Sequence, residues 1–236
     1  MKRPKRVYRE VAIDRLATGQ WQVRLDGKPA ASPAGNVLRV PSAGLAEAIA
    51  QEWRSQSAEL DPETMALTRL ANTAIDRIEP DRRNAVAAIL KFAGSDLLCF
   101  RASGPDLLVT RQSAIWDPLL DWARERYGIN LQTVCGISPI RQSADDLAEL
   151  ESTLRLLGHF ALTGLVAAAN ILGSAVVALA LMEKRVDAAE AFNAAELDAI
   201  YQAEIWGEHS EAISRNRKKR DELELISRFL DLAAAV

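Results

Sequence analysis

The chain has few of the side chains from which enzymes build a nucleophilic or metal site. A catalytic triad needs a histidine beside a serine or cysteine in the fold, and only two histidines, His159 and His209, are present. Their positions, at a helix junction and after a Trp-Gly pair, are typical of capping or surface histidines. The phosphate-binding patterns GxGxxG and GxxxxGK[ST] are absent. We therefore expect no catalytic residue and no bound cofactor.

Cysteine is equally scarce. Cys99 and Cys135 lie at neither metal-ligand nor redox spacing, and the residues around each are apolar. They are expected to be buried free thiols in a reducing compartment. No histidine pairs with a cysteine or aspartate at the spacing of zinc ligands, so we expect no metal site.

The chain also has no large excess of positive or negative charge. The 29 basic and 32 acidic residues leave a net charge of −3, which argues against a nucleic-acid partner. The basic tract 215–220 (RNRKKR) is flanked by glutamates and aspartates. This spacing favours a helix with intrahelical ion pairs over a nucleic-acid contact.

One long apolar run stands out. Residues 160–182 carry no charged side chain, and this segment is long enough to span a bilayer. Two glycines and an asparagine interrupt the run, and it lacks a belt of aromatic residues at its ends. We expect one or two helices buried inside a helical bundle, and no stable membrane insertion. The basic start of the chain has no apolar segment behind it, so it is not predicted to be a secretory signal.

The patterning divides the chain into two parts. Residues 7–40 show strand-like alternation, with Asp26-Gly27 as a hairpin turn, and Ser42 starts a helix. After residue 62 the periodicity is almost entirely helical. The prediction is an α+β fold, with a small β-rich N-terminal domain (1–62, including one helix) and a larger helical domain (63–236).

The segment 62–78 (PETMALTRLANTAIDRI) joins these two parts. Its polar side chains could line a pocket for a small molecule or a substrate, or they could fix the segment to its neighbours. Closely spaced Asp and Arg side chains can satisfy each other and nearby backbone groups, which favours the structural role. This interdomain polar cluster comprises Arg69, Asn72, Thr73, Asp76 and Arg77.

A second group of interest surrounds a tryptophan near the C-terminus. Gly207 should end a helix and leave Trp206 at a corner. An exposed tryptophan beside carboxylates suits a protein–protein interface, where tryptophan is a frequent anchor. The candidate partner-binding residues are Glu204, Trp206, Gly207, Glu208 and Glu211.

Five segments occur in an order that resembles a known family. They are 64–78 (TMALTRLANTAIDRI), 96–102 (DLLCFRA), 116–122 (WDPLLDW), 178–192 (ALALMEKRVDAAEAF) and 197–208 (LDAIYQAEIWGE). Together they resemble the assembly chaperone of the F-type ATP synthase alpha subunit, over roughly residues 8–230. No single motif carries the resemblance; the ordered set does.

The resemblance implies a function. A member of this family would hold the newly made alpha subunit before it pairs with the beta subunit, without enzymatic activity and without a nucleotide of its own. An acidic residue near the Trp-Gly motif is important in the family, and Glu208 and Glu211 are the matching candidates. The expected protein is a soluble monomer, cytoplasmic in a bacterium, whereas mitochondrial relatives lie in the matrix. A groove between the two domains, together with the Trp206 corner, is the expected contact surface.

Overall fold

A computed structural model describes residues 4–207 and 210–234. The chain forms two compact units. The first comprises Met1–Arg82, Gly158–Gly164 and Arg228–Val236, and the second comprises Arg83–Leu157 and Leu165–Ser227. Compactness does not by itself define a domain that folds alone, so the boundary between residues 62 and 63 stays a prediction.

A small antiparallel sheet opens the first unit. Its strands are β1 (Val11–Arg15), β2 (Trp21–Leu25), β3 (Lys28–Pro29) and β4 (Arg39–Val40). Strand β2 pairs with β1 along one edge and with β3 and β4 along the other. The predicted Asp26-Gly27 turn joins β2 to β3, and both of its residues have the positive φ that the turn requires.

Helix α1 (Ala43–Arg54) packs its apolar face against this sheet. Ser42 caps it as predicted, because its Oγ accepts a hydrogen bond from the Leu45 N–H at 3.0 Å. Helix α2 (Ala66–Thr73) follows and runs into a π-helical turn (Ala74–Ile78). The segment 68–78 is therefore not one regular α-helix, since the Glu79 N–H bonds the Ala74 carbonyl five residues back.

Two later stretches of chain complete the first unit. The rings of Phe160 and Phe229 lie 6.0 Å apart, and Leu230 fills the space beside Gly164. The hydroxyl of Ser42 also donates a hydrogen bond to the Leu232 carbonyl. The start of the chain and its last helix are thus joined directly.

The rest of the chain is mainly helical. The helices are α3 (Arg82–Gly94), α4 (Asp106–Tyr127), α5 (Ala144–Leu156), α6 (His159–Leu172), α7 (Ala175–Met182), α8 (Ala188–Ala195), α9 (Leu197–Trp206) and α10 (Ser210–Ala234). Two short strands, β5 (Phe100–Arg101) and β6 (Val134–Cys135), pair in parallel. The predicted fold class, a small strand-containing N-terminal region followed by a larger helical region, is confirmed.

The apolar run 160–182 forms two helices, α6 and α7, which break at Gly173 and Ser174. Every residue from Ala175 to Leu181 is buried, as expected for a helix surrounded by protein. Within residues 4–207 and 210–234, no helix is long and apolar enough to cross a bilayer.

The start of α7 is held by a buried carboxylate. Asp96 is fully buried, and its oxygens accept hydrogen bonds from the Ser174 hydroxyl at 2.7 Å and the Val176 N–H at 3.1 Å. The same carboxylate accepts the Leu98 N–H at 3.1 Å, at the start of a 3-10 turn (Leu97–Cys99). Asp96 therefore caps two helical segments at once.

The structure differs from local expectations at three places. Pro118 predicts a kink or a restart of the helix that begins near residue 105, but helix α4 does not restart there and runs from Asp106 to Tyr127. The apolar periodicity from Asp187 to Trp206 predicts one helix, but the structure divides it into α8 and α9 at Glu196, and the Ala194 carbonyl accepts the Trp116 indole N–H at 2.8 Å. Cys135 is exposed rather than buried, since it lies in a two-residue strand at the surface.

Candidate partner-binding site

The end of α9 presents a large apolar side chain to solvent. Trp206 is 80% exposed and the adjacent Ile205 is 52% exposed. The helix stops because Gly207 takes φ +85°, a conformation that other residues rarely adopt. The Trp206 indole N–H donates to the Gln202 side chain at 3.0 Å. The ring is thus held against its own helix with much of its surface uncovered.

A charge pair flanks this corner. The Glu204 carboxylate accepts a hydrogen bond from Arg111 Nη1 of α4 at 2.6 Å. The same guanidinium lies 5.4 Å from the centre of the Tyr201 ring. Glu204 therefore links α9 to α4 in the free protein.

The other acidic candidates lie beyond Gly207. Glu211 is exposed in the first turn of α10, where a carboxylate is favoured by the helix dipole. Glu208 lies outside the described residues, as does His209. The partner-binding role of this acidic group stays a prediction.

Helix α4 adds apolar surface close to Arg111. Leu107 and Ile115 lie four residues before and after Arg111, on the same stripe of the helix, and both are exposed. The stripe therefore carries two uncovered apolar side chains on either side of the residue that contacts α9. Sequence analysis missed both, although their four-residue spacing from Arg111 is visible in the sequence.

An open cleft of about 630 Å³ lies beside the Trp206 corner. Its lining comes from α8, α9 and α10, with apolar side chains on the α9 side and cationic and amide side chains on α10. The lining residues are Asn193, Ala199, Ile200, Gln202, Ala203, Glu204, Trp206, Gly207, Ala212, Arg215, Asn216 and Arg220.

The basic tract on α10 makes contacts outside its own helix. Lys219 pairs with Glu196 at the junction of α8 and α9, and the Arg220 guanidinium lies 4.3 Å from the centre of the Phe192 ring. The expected ladder of intrahelical ion pairs does not account for these two residues. Lys219 and Arg220 lie three and four residues after Asn216, which indicates that the three side chains share one face of α10.

The polar cluster of the 62–78 segment is spread over different partners. Asp76 accepts hydrogen bonds from the Ser32 hydroxyl at 2.6 Å, the Asn36 amide at 2.8 Å and the Ala34 N–H at 3.1 Å. Partial burial raises the pKa of the Asp76 carboxyl, but these hydrogen bonds lower it, and the net pKa is below its ordinary value. Asp76 thus ties the π-helical turn to the loop between β3 and β4.

The remaining members of the cluster do not join Asp76 in a common pocket. Thr73 donates its hydroxyl to the Arg69 carbonyl, and the Asn72 side-chain oxygen is buried without a donor among the described residues. Arg69 and Arg77 are exposed. The bonds of Asp76 lie within the first unit, so the interdomain role of the cluster stays a prediction.

A cavity of about 290 Å³ lies next to this segment, at the low end of the range of about 300–1,000 Å³ for ligand sites. Its lining includes the ion pair of Arg39 and Glu79, whose side-chain atoms approach to 2.9 Å. None of the five predicted cluster residues lines it. This arrangement gives no support to a substrate pocket formed by the cluster.

Comparison with known proteins identifies the family. The family model described as ATP12 chaperone protein matches residues 5–124. Atp12 from Paracoccus denitrificans, solved also as a mutant, is 34% identical, with a TM-score of 0.92 and 98% of both chains covered. The Atu1473 protein of Agrobacterium tumefaciens is 38% identical, with a TM-score of 0.89, covering 97% of this chain and 86% of that one.

A more distant relative extends the match to a eukaryote. The mitochondrial protein atp12 of Schizosaccharomyces pombe is 22% identical over 220 residues, covering 88% of this chain and 75% of that protein. The family match spans half of this chain, and the similarity to the solved structures runs over nearly all of it. The chain therefore belongs to the ATP12 chaperone family, the assembly-chaperone family of the F-type ATPase that its ordered sequence segments resemble.

Proposed function

We propose that this protein binds the free alpha subunit of the F-type ATP synthase and shields it until the beta subunit arrives. The observation that carries the choice of surface is Trp206, a tryptophan with 80% of its surface exposed at the end of α9. Exposed apolar side chains grouped on one surface are typical of partner contacts. Membership of a chaperone family supplies the class of activity.

The proposed surface combines apolar anchors with carboxylates. Trp206 and Ile205 would cover apolar surface of the alpha subunit that later becomes a subunit interface. Glu204, Glu208 and Glu211 would orient the complex and increase its association rate, because charges at a rim act mainly on encounter. The beta subunit must be able to displace the chaperone, so the affinity of the chaperone for the alpha subunit must be moderate. Charges that mainly increase the association rate suit this role, because they speed up capture without requiring slow dissociation.

The test is co-expression with tagged alpha and beta subunits. We expect the alpha subunit to co-purify with this protein and the beta subunit not to do so. Trp206→Ala should weaken binding by about thirtyfold and so reduce the recovered alpha subunit, since truncating a tryptophan hot spot commonly costs about 2 kcal/mol or more. Reversing the charges of Glu208 and Glu211 to lysine should abolish recovery.

The matched control is Leu156→Ala. Leu156 is also an exposed large apolar residue, at the end of α5, and it is not part of the proposed surface. Circular dichroism of all variants should match that of the wild type. Undiminished recovery of the alpha subunit by both the Trp206 and the glutamate variants would rule out this surface.

A protein with this role acts as a binder and needs neither a catalytic group nor a cofactor. We propose that it works as a monomer, because the surface must stay open for its client. A location in the bacterial cytoplasm is supported by the similarity to proteins from Paracoccus and Agrobacterium. Light scattering of the purified protein measures the oligomeric state directly.

A further inference from the structure

The cleft beside Trp206 has a chemical character that the acidic rim does not explain. Its α9 side is apolar, formed mainly by Ile200, Ala203 and Trp206. Its α10 side carries Arg215, Asn216 and Arg220. An apolar wall facing two guanidinium groups fits a ligand that is itself part apolar and part anionic.

The cationic side has charge available for a ligand. Among residues 4–207 and 210–234, neither Arg215 nor Arg220 has a carboxylate within ion-pair distance. By contrast, Lys219 is paired with Glu196, and Glu204 is paired with Arg111. Glu204, which also lines the cleft, and Lys219, which lies beside it, each have an oppositely charged partner, whereas the two lining arginines have none among the described residues.

Arg220 is supported by an aromatic ring in the free protein. Its guanidinium rests on the face of Phe192, whose side chain is 1% exposed. Such stacking holds the planar group while leaving its N–H edge free to donate. Arginine held in this way can bind a carboxylate with two parallel hydrogen bonds.

A polar atom in the same wall lacks a partner. The side-chain oxygen of Asn216 is buried, and no donor among the described residues reaches it. An extended polypeptide would bring backbone N–H groups that could donate to this oxygen. A polypeptide is therefore a better match than a small anion that offers only acceptors.

We propose that the cleft between α9 and α10 binds a segment of the client protein in which an acidic side chain lies next to a large apolar one. The carboxylate bonds Arg215 and Arg220, the apolar side chain packs on Ile200 and Trp206, and a backbone N–H donates to Asn216. This assignment rests on the proposed chaperone function for the identity of the client. It gives that client's docking segment a defined chemistry.

The first experiment measures the affinity for the purified alpha subunit by biolayer interferometry. The double variant Arg215→Gln, Arg220→Gln removes the cleft charges without adding repulsion. We expect its dissociation constant to rise by at least about tenfold, because removing one side of a desolvated charge pair is costly. The rise should shrink at high salt.

The matched control is the double variant Arg217→Gln, Lys218→Gln. It removes the same charge from the same helix, at exposed positions that do not line the cleft. Its dissociation constant should stay within about twofold of the wild type, as expected for exposed charges. Equal losses in both double variants would show a general charge effect and overturn the proposal.

A second experiment tests the cleft without the alpha subunit. The probe is a capped peptide, Leu-Asp-Leu-Phe-Asp-Leu, titrated into protein labelled with 5-fluorotryptophan. In fluorine-19 NMR spectra the resonance of Trp206 is assigned by comparison with Trp206→Phe. It should shift on addition of this peptide and not on addition of the analogue with asparagine in place of aspartate. A shift of equal size with both peptides overturns the role of the arginines.

The outcomes separate the two proposals. If the wild type binds no alpha subunit but the acidic peptide shifts Trp206, the chaperone function fails and the cleft chemistry stands. If the alpha subunit binds equally well to the wild type and the cleft variant, the cleft assignment fails and the function stands. Self-association that is lost in the cleft variant, or displacement of the peptide by single-stranded DNA, would assign the cleft to another occupant and overturn the proposal.

Discussion

Gly164 is required because of its neighbour's side chain. A Cβ at this position would lie 2.5 Å from Cδ2 and 2.7 Å from Cγ of Leu230. Leu230 is 6% exposed, and the Cγ contact lies near the base of its side chain. Leu230 therefore cannot avoid a clash with a Cβ at position 164 by rotating only its methyl groups into solvent.

Gly164→Ala should lower the free energy of unfolding by about 1–3 kcal/mol, the usual cost of overpacking a core. This loss is expected although alanine favours a helix over glycine by about 1 kcal/mol. Urea denaturation measures it. In a Leu230→Ala background the same change should be neutral or stabilising, because the space is free. An equal loss in both backgrounds would contradict the steric explanation.

At the scale of elements, helix α2 begins without a cap from its own sequence. Met65 precedes it and makes no side-chain capping bond. The cap comes from α1, where the Glu52 carboxylate accepts the N–H groups of Leu67 and Thr68, both at 2.8 Å. It also accepts the Thr68 hydroxyl at 2.7 Å. One side chain thus joins two helices and occupies the positive end of the second.

Glu52→Ala should destabilise the protein by about 1–2 kcal/mol, since it removes a helix cap and leaves N–H groups unpaired. Hydrogen exchange should show faster exchange of the Leu67 and Thr68 amides. Glu47→Ala is the matched control on the same helix. Glu47 is exposed and pairs with Arg54, so its removal should cost no more than about 0.5 kcal/mol. Unchanged exchange in Glu52→Ala would disprove the capping role.

At the scale of the whole molecule, Asp96 links stability to pH. Burial raises the pKa of its carboxyl to about 6, against the opposing effect of its hydrogen bonds. The ordinary value is 3.8, so between pH 3.8 and 6 the folded state binds a proton that the unfolded state has released. The contribution of Asp96 to stability is therefore largest at low pH and is lost as pH rises through this window.

The measurement is urea denaturation of the wild type and Asp96→Asn at several pH values from 4 to 7. Relative to Asp96→Asn, the free energy of unfolding of the wild type should fall by up to about 1.4 kcal/mol per pH unit as the pH rises across the window. The difference isolates Asp96 from groups of opposite sign, such as Asp76, whose lowered pKa makes its contribution disappear as pH falls. Parallel pH profiles would contradict this prediction.

Local patterns in the sequence were enough for the elements whose causes are local. The Asp26-Gly27 turn, the Ser42 cap and the left-handed Gly128 after α4 were all predictable, because each depends on adjacent residues. The exposed position of Trp206 followed in the same way from Gly207.

Contacts between distant residues could not be predicted in this way. Nothing in the sequence around Glu52 shows that it caps a helix 15 residues later. The same holds for Asp96, which reaches Val176, and for the arginines of α10, which line a cleft together with residues of α9. Such contacts form only when the chain folds, and the periodicity of apolar residues along the sequence does not predict them.

The bond between Ser42 and Leu232, with Leu230 filling the space beside Gly164, has a consequence for how the protein is made. The strands of the first unit leave the ribosome first, yet that unit needs residues synthesised nearly two hundred positions later. While the protein is being translated, its earliest segment is without its final contacts. A chaperone built in this way becomes complete only after its last helix has emerged, so an interrupted translation product would leave the first unit unfinished.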